Sequence, residues 1–215
     1  MWTSIKLACV GIALAASPAS AEIELSFYGG SQSSPHSRVT GNRADTTPFS
    51  ALIGWQGKSF APPPYYGARV MFWRQNDLGF GVELTHAKAY APAAEMPAGF
   101  TRLEFTDGHN IITANVLKRW PNRFGRITPY VGGGLGIALP HVDITETGNR
   151  TFGYQLTGPA VRLLAGAKYD LNDRWALFSE YQFNWTENKA DLAGGGTLKA
   201  RIITNAVNVG VAYQF

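Results

Sequence analysis

The chain ends with Val207-Asn208-Val209-Gly210-Val211-Ala212-Tyr213-Gln214-Phe215. Apolar side chains occupy every odd position of this stretch, and polar or small residues occupy the even positions. A β-strand turns successive side chains to opposite faces, so a period of two residues indicates a strand. The stretch therefore predicts a sheet with one apolar face and one more polar face.

The same alternation recurs from the mature N-terminus to the C-terminus, with turn-forming residues between the segments. Counting back from Phe215, the pattern predicts eight strands. They lie near residues 22–33, 66–74, 78–90, 104–120, 127–144, 153–170, 174–188 and 200–215. Residues 49–60 also resemble a strand, and we place them in the first long loop. Counting them as a full strand leads to a ten-stranded alternative.

Three features favour a membrane barrel over a soluble sandwich. Several predicted strands have ten or more residues, the length needed to cross a bilayer at a tilt, and aromatic residues lie near their ends. The terminal Tyr213-Gln214-Phe215 resembles the aromatic signature of outer-membrane barrels. A closed barrel also pairs every backbone group within lipid. The sequence therefore predicts an all-β fold, an eight-stranded antiparallel transmembrane β-barrel of the outer-membrane type.

The first residues predict a signal peptide before the barrel. Lys6 is the only charged residue before position 22, and an apolar run extends from Leu7 to Ala16. This run is too short to span a membrane as a helix. Small residues at Ala19 and Ala21 complete the pattern that signal peptidase cleaves.

Cleavage after Ala21 divides the chain into a signal peptide, residues 1–21, and an outer-membrane β-barrel domain, residues 22–215. The only cysteine, Cys9, leaves with the signal peptide, which excludes disulfides and thiolate metal sites from the mature chain. Loss of Lys6 changes the formal net charge from +4 to +3. This small excess does not indicate a nucleic-acid partner. We expect a monomer in the outer membrane of a Gram-negative bacterium.

The connections between the predicted strands alternate in length. Outer-membrane barrels have short periplasmic turns and longer external loops, so we expect both termini in the periplasm. The interior of an eight-stranded barrel is filled by side chains, which disfavours transport. Six predicted inward charges are expected to pair with one another, and a proton-transfer role for one carboxylate is the alternative. They are Glu24, Arg69, Glu83, Arg162, Lys168 and Glu180.

All four histidines are predicted to lie toward the external end of the barrel, with three carboxylates at the same level. They are His36, His86, His109 and His141, with Glu104, Asp107 and Asp143. Histidine and carboxylate bind zinc or iron and perform acid–base catalysis. Alternation predicts that Asp107 and His109 share one inward face, whereas His86 and His141 face lipid. Interface histidines without chemistry are the alternative interpretation.

Six stretches together resemble the lipid A oxidase family of alphaproteobacterial outer membranes. The resemblance covers nearly all of the mature chain and is most specific in the first loop and around residues 103–113. The stretches are residues 24–30, 35–39, 54–60, 63–67, 103–108 and 155–160. The resemblance implies a dioxygen-dependent oxidoreductase that converts the proximal glucosamine of lipid A to 2-aminogluconate. It implies lipid A, within lipopolysaccharide, as substrate and outer-membrane lipid as surroundings.

The resemblance supplies no catalytic residues, so the site is predicted from the residues themselves. Dioxygen chemistry favours a divalent metal ion of unknown identity as cofactor. The predicted catalytic residues are His109, Asp107 and Glu104, and the predicted metal ligands are His36 and His109. Substrate binding is assigned to Arg38 and Lys58 for phosphates, and to Trp55, Tyr65 and Tyr66 for sugar or acyl groups. A structural or adhesin-like barrel without enzymatic activity, and another lipid A-modifying enzyme, remain open alternatives.

Overall fold

The computed structural model describes residues 22–215, so the predicted signal peptide lies outside the described residues. Strands make up most of this part of the chain. They are β1 (Glu22–Ser33), β2 (Ser37–Arg43), β3 (Pro48–Ile53), β4 (Tyr66–Trp73), β5 (Leu78–Tyr90), β6 (Phe100–Arg119), β7 (Ile127–Glu146), β8 (Asn149–Tyr154), β9 (Gly158–Asp170), β10 (Trp175–Asp191) and β11 (Gly196–Gln214). One short 3-10 helix spans Ala93–Glu95. Within residues 22–215, no helix is long and apolar enough to cross a membrane.

Eight of the strands form a closed antiparallel ring in the order β1-β4-β5-β6-β7-β9-β10-β11. The ring closes where β1 pairs with β11, with Phe27 opposite Val211. The predicted eight-stranded barrel is confirmed. The ten-stranded alternative is wrong, because β3 pairs with β2 and both lie outside this ring.

One predicted strand, residues 153–170, is divided in the structure. Thr147 and Gly148 adopt positive φ angles of 44° and 86°, which turn the chain tightly after β7. Strand β8 therefore folds back onto β7, and the ring strand β9 begins only at Gly158. The stretch between the predicted strands 127–144 and 153–170, expected as a long external loop, is thus part of a hairpin, because a glycine in the left-handed region permits a two-residue turn.

The two faces of the ring differ in polarity, as the alternation predicts. Val209 and Leu135 point outward and are 63% and 70% exposed, whereas Asn208 and Arg162 are fully buried inside. Valine, leucine, isoleucine and aromatic side chains cover the outer wall; we call this surface the apolar band. Its members include Phe27, Val70, Phe80, Val82, Leu135, Leu163, Leu177, Val207 and Val209.

Paired charges fill the interior of the ring. Arg69 lies between two carboxylates, 2.8 Å from Glu83 and 2.6 Å from Glu180. Arg162 Nη1 lies 3.0 Å from Glu83, and Lys168 pairs with Glu24. All six predicted inward charges are buried in this way. Because buried charges need partners, this network specifies the packing of the interior, together with the buried aromatic and aliphatic side chains that surround it.

Beyond the apolar band the barrel continues as a second tier. Strand β2 pairs with the end of β11, β3 with β2, and β8 with the end of β7. Here the polarity reverses and apolar side chains fill the interior, because water rather than lipid surrounds this tier. Its core includes Val39, Phe49, Ile53, Trp55, Phe100, Leu103, Phe105, Val142, Ile144, Leu198 and Ile202. We call this tier the loop-end extension, and the opposite end, with turns 74–77, 120–126 and 171–174, the turn end.

Candidate functional site on the barrel wall

An irregularity in strands β5 and β6 marks the border between the apolar band and the loop-end extension. Pairing is regular up to Ala87 opposite His109 and resumes with Ala89 opposite Phe105. The extra residues of β6 include Asp107 and Gly108, with φ angles of 45° and 105°. Bulges re-aim side chains and are common beside active sites. An aspartate at positive φ is a strained conformation of the kind that concentrates at functional sites.

The bulge encloses His86 on the outer wall. His86 continues the outward row of Val82 and Leu84, yet it is only 5% exposed. The ring of Tyr66 stacks on it, with centroids 4.9 Å apart. On another side lies Gly108, where an added Cβ would come within 2.3 Å of His86 Nδ1. The close approach and the positive φ together require glycine at this position.

One ring nitrogen of His86 has a partner, and the other has none among the described side chains. Nδ1 lies 3.0 Å from Asn110 Oδ1, whereas Nε2 is buried and unpaired. An amide oxygen only accepts, so this contact places the proton on Nδ1 and leaves the lone pair on Nε2. A histidine oriented through one nitrogen, with the other free, has the arrangement of a general base.

His141 lies next to this site on β7, again on the outward face. It stands opposite Tyr154 of β8, and its ring makes edge contacts with Tyr154 and Phe152 at 4.9 and 4.4 Å. Farther into the loop-end extension, Asp143 is held by Arg150 at 2.9 Å and Arg102 at 2.8 Å.

The charges of this group fix the ionisation of its carboxylate. Burial alone would raise the pKa of Asp143, but hydrogen bonds from Arg150 and Arg102 hold that pKa below its ordinary value. Asp143 is therefore an anion paired with two arginines. Arg102 and Arg150 remain about half exposed, so both can also reach groups outside the protein.

Comparison with known proteins identifies the fold family. The sequence matches the model of the outer membrane protein beta-barrel domain over residues 7–215. This chain belongs to that family. No curated protein matches the chain. The wall site described above is therefore part of an outer-membrane barrel, and its apolar band is the surface that meets lipid.

Solved structures also resemble this chain, to different degrees. Neisserial surface protein A is 16% identical over 91% of this chain and 97% of its own, with a TM-score of 0.51. Ail, the attachment invasion locus protein of Yersinia pestis, is 11% identical over 91% and 99%, with a TM-score of 0.44. The outer membrane protease OmpT from Escherichia coli is 7% identical over 90% and 97%, with a TM-score of 0.39. At 16% identity, the match to Neisserial surface protein A shows similarity of fold alone.

The prediction that Asp107 and His109 share one face of the barrel is wrong. His109 is buried inside, where Nε2 lies 3.3 Å from Asn188 Oδ1 and 3.2 Å from Thr186 Oγ1. Asp107 lies in the bulge and is exposed. The extra residues of the bulge interrupt the alternation on which the prediction depended.

The remaining predicted catalytic and metal-binding residues are also separated. Glu104 lies on the outer surface, with a carboxylate oxygen 3.8 Å from Arg102. His36 is exposed in the connection from β1 to β2 and packs against Gly54. Within residues 22–215, no group of three or more histidine, cysteine or carboxylate side chains is arranged to hold a metal ion. The ligand pair of His36 and His109 therefore does not fit a resident metal centre.

The three aromatic residues predicted to bind substrate occupy three different environments. Trp55 is buried in the loop-end extension, where Nε1 donates to Ser37 Oγ at 2.7 Å. Tyr65 is buried in the ring and donates to Gln182 at 3.3 Å. Tyr66 alone is exposed, through the face of its ring that does not stack on His86.

The two predicted phosphate-binding cations lie on different parts of the wall. Arg38 is exposed on β2, beside β11, and donates to Ser50 Oγ at 3.1 Å. Lys58 lies over the ring of Tyr90, 4.1 Å from its centroid, beside β5. Of these two, Lys58 belongs to the wall that carries His86.

His86 is one of the four histidines predicted at the external end, but the alternation turns it toward lipid and so assigns it no role in the site. The signal that could have identified it is the dipeptide Asp107-Gly108, which is typical of turns and bulges. A bulge at this position predicts that the neighbouring strand has an outward residue covered by backbone. His86 is that residue.

Proposed function

We propose that this outer-membrane barrel oxidises the proximal glucosamine of lipid A to 2-aminogluconate, with dioxygen as the electron acceptor. In this proposal the loop end faces the outside of the cell, because the longer connections of outer-membrane barrels are extracellular. The observation that supports it is the unpaired Nε2 of His86 on the lipid-facing wall, at the border of the apolar band. The sugars of lipid A lie at this border when its acyl chains lie along the band.

The overall reaction moves two electrons and two protons. The anomeric carbon must carry a free hydroxyl, so that the sugar is a cyclic hemiacetal. Loss of the hydroxyl proton and of the hydrogen on that carbon yields a lactone. Dioxygen takes up both electrons and both protons and becomes hydrogen peroxide. Water then opens the lactone to 2-aminogluconate, so the lipid gains one oxygen atom overall.

Within this reaction His86 Nε2, which is buried in the structure, is uncovered when the substrate binds and accepts the proton of the anomeric hydroxyl. Asn110 holds the imidazole in the tautomer with the proton on Nδ1, and Tyr66 fixes the plane of the ring. Asp107, exposed in the adjacent bulge, remains a predicted participant. Arg102 and Arg150 are candidates for binding a phosphate of the substrate, since arginine pairs with phosphate through charge-assisted hydrogen bonds.

The divalent metal ion stays a prediction from the sequence. Purified barrel dialysed against EDTA, then assayed with lipid A in detergent micelles, tests it. Loss of oxidation that returns with one added metal would support a metal cofactor. Full oxidation after dialysis would contradict it and leave the transfer of electrons to dioxygen without a metal.

Lipid A mass spectrometry tests the function and locates the site, on cells that express the barrel and whose lipid A has a free anomeric hydroxyl. The wild-type barrel should add one oxygen to lipid A, and His86→Gln should abolish this gain. His109→Gln removes a buried histidine of the interior, so it should leave oxidation in place. A heat-modifiability gel reports the folding of each variant. The opposite pattern would return the catalytic role to His109.

Two other outcomes of the same experiment contradict the proposal. Loss of an acyl chain would identify a hydrolase that acts on lipid A. Unchanged lipid A, with the wild-type barrel folded in the outer membrane, would indicate a barrel without this enzymatic activity.

A further inference from the structure

The outer wall opposite the His86 site carries a group of cations. Lys189 of β10 stands directly across from Lys199 of β11. Strands β2 and β11 pair as far as Val39 opposite Ala200, and Arg38 and Arg201 are the next residues at this end of the pairing. All four side chains are exposed. We call Arg38, Lys189, Lys199 and Arg201 the basic patch.

The basic patch has fewer carboxylates than cations. Glu187 pairs with Arg201 at 2.8 Å, and Asp191 lies two residues beyond Lys189 on the same face of β10. Among the described residues, no carboxylate lies within ion-pair distance of Lys189, Lys199 or Arg38.

Like charges directly opposite each other in a sheet destabilise it unless something compensates them. Lys189 and Lys199 form such a pair at the wall of the loop-end extension. An anion bound between them would remove the repulsion. The excess of two positive charges over the patch therefore indicates an anionic ligand.

The position of the patch indicates what kind of anion fits. Arg201 lies over the ring of Trp185, 5.9 Å from its centroid, where the polar wall meets the apolar band. Toward the turn end, the exposed side chains on the same strands are apolar or aromatic, such as Tyr181 and Val207. A molecule lying along this wall meets a hydrocarbon surface first and a cationic surface at its head. Such a ligand is a lipid with phosphate groups.

We infer that the basic patch binds the phosphates of a second lipid A molecule, whose acyl chains lie on the apolar band of β10 and β11. The order of the ring places β10 and β11 across the barrel from β5 and β6, which carry the His86 site. The lipid bound here is therefore not the molecule that is oxidised. The inference shares with the proposed function only the outward orientation of the loop end, and it does not depend on oxidation.

Lipid retention by the mature barrel tests the inference. Wild-type barrel is reconstituted in phosphatidylcholine vesicles that contain either bisphosphorylated lipid A or its dephosphorylated form. Native mass spectrometry after detergent extraction then counts the lipid A retained per barrel. We expect the phosphorylated form to be retained about tenfold better at low salt, with the difference shrinking as salt is added.

Two double variants separate the patch from general electrostatics. Lys189→Gln with Lys199→Gln should reduce retention of the phosphorylated lipid to that of the dephosphorylated form. Lys118→Gln with Arg123→Gln removes the same charge near the turn end and should leave retention unchanged. The first double variant should also keep wild-type lipid A oxidation, because its residues lie away from His86.

Several results would overturn the inference. The first is equal retention of the two lipid forms by the wild-type barrel, and the second is undiminished retention by the Lys189/Lys199 double variant. Displacement of lipid A by an equal concentration of inorganic phosphate would assign the patch to free phosphate instead. Retention of phosphorylated lipid, together with no oxidation of a separate lipid A sample that has a free anomeric hydroxyl, would support the inference and contradict only the proposed function.

Discussion

Tyr66 of β4 and His86 of β5 are directly opposite residues of one ladder, and their rings stack at an angle of 16°. The tyrosine separates the imidazole from the lipid that covers the rest of the wall. The histidine is thus neither inside the barrel nor open to the membrane. This relationship turns an outward position into an enclosed one without moving the strand.

Replacement of Tyr66 distinguishes a positioning role from a substrate-binding role. The stacking involves the ring and not the hydroxyl, so Tyr66→Phe should keep lipid A oxidation. Tyr66→Ala frees the imidazole and should lower kcat about tenfold with little change in KM, as loss of one aromatic contact allows. Steady-state kinetics with lipid A in micelles provides the measurement. An increase in KM alone would instead make Tyr66 a platform for the substrate.

Gly108 offers a sharper test of the enclosed site. Gly108→Ala places a methyl group against His86 Nδ1, so it should displace the ring and abolish lipid A oxidation. Gly148→Ala is the matched control, because Gly148 also has a positive φ, of 86°, but an added Cβ there meets nothing within 4 Å. Both variants place alanine at a positive φ angle, which costs about 1–2 kcal/mol.

The two glycine variants are compared by lipid A mass spectrometry, with heat-modifiability gels for folding. Loss of activity in Gly108→Ala alone supports the His86 site. Normal oxidation by a folded Gly108→Ala barrel would show that the His86 side chain can shift without consequence. In that case the general-base role of His86 would be wrong.

The part of the ring that carries the apolar band could be predicted from the sequence, because one rule, the alternation of outward and inward residues, governs it throughout. From Val209 outward and Asn208 inward, the alternation continues around the ring, and it placed Arg69, Glu83 and Glu180 correctly inside. Lipid on one side and a narrow interior on the other leave each side chain only one suitable face. The signal is local, so it survives without knowledge of the tertiary structure.

The site could not be predicted in the same way, because it depends on departures from that rule. The bulge at Asp107 and Gly108 leaves Asp107 exposed and turns His109 into the interior. The turn at Thr147 and Gly148 folds β8 onto β7 instead of extending a loop. Both features change which residues share a face, and each depends on two consecutive positive φ angles that alternation does not encode.

The interior charge network predicts a measurable coupling between Arg69 and Glu180. Arg69→Met leaves Glu180 without its buried cation, and Glu180→Gln leaves Arg69 with Glu83 alone. Each single variant should lower the free energy of unfolding by about 3–5 kcal/mol, because an uncompensated charge remains buried. The double variant should cost less than the sum of the two single variants.

Urea unfolding of the barrel in lipid vesicles, followed by tryptophan fluorescence, gives the four free energies of this cycle. A coupling of a kilocalorie or more is expected for groups that share a charge pair. Strictly additive losses would mean that Arg69 and Glu180 act independently. The paired interior described above would then not account for the stability of the ring.

The orientation of the barrel is the last prediction, and the placement of lipid A at His86 depends on it. The only cysteine in the sequence is Cys9, within the predicted signal peptide, so single cysteines can be introduced into the barrel without background labelling. Gly148→Cys and Ala193→Cys mark connections at the loop end, and Arg123→Cys marks the turn end. All three positions are exposed at their ends of the barrel.

A maleimide that does not cross membranes, applied to intact cells, should label Gly148→Cys and Ala193→Cys and leave Arg123→Cys unlabelled. After the outer membrane is permeabilised, all three should react, which controls for accessibility. The reason is that long connections of outer-membrane barrels face outward and short turns face the periplasm. Labelling of Arg123→Cys alone in intact cells would invert the barrel. His86 and the basic patch would then lie at the inner leaflet, away from lipid A, and both proposals would fail together.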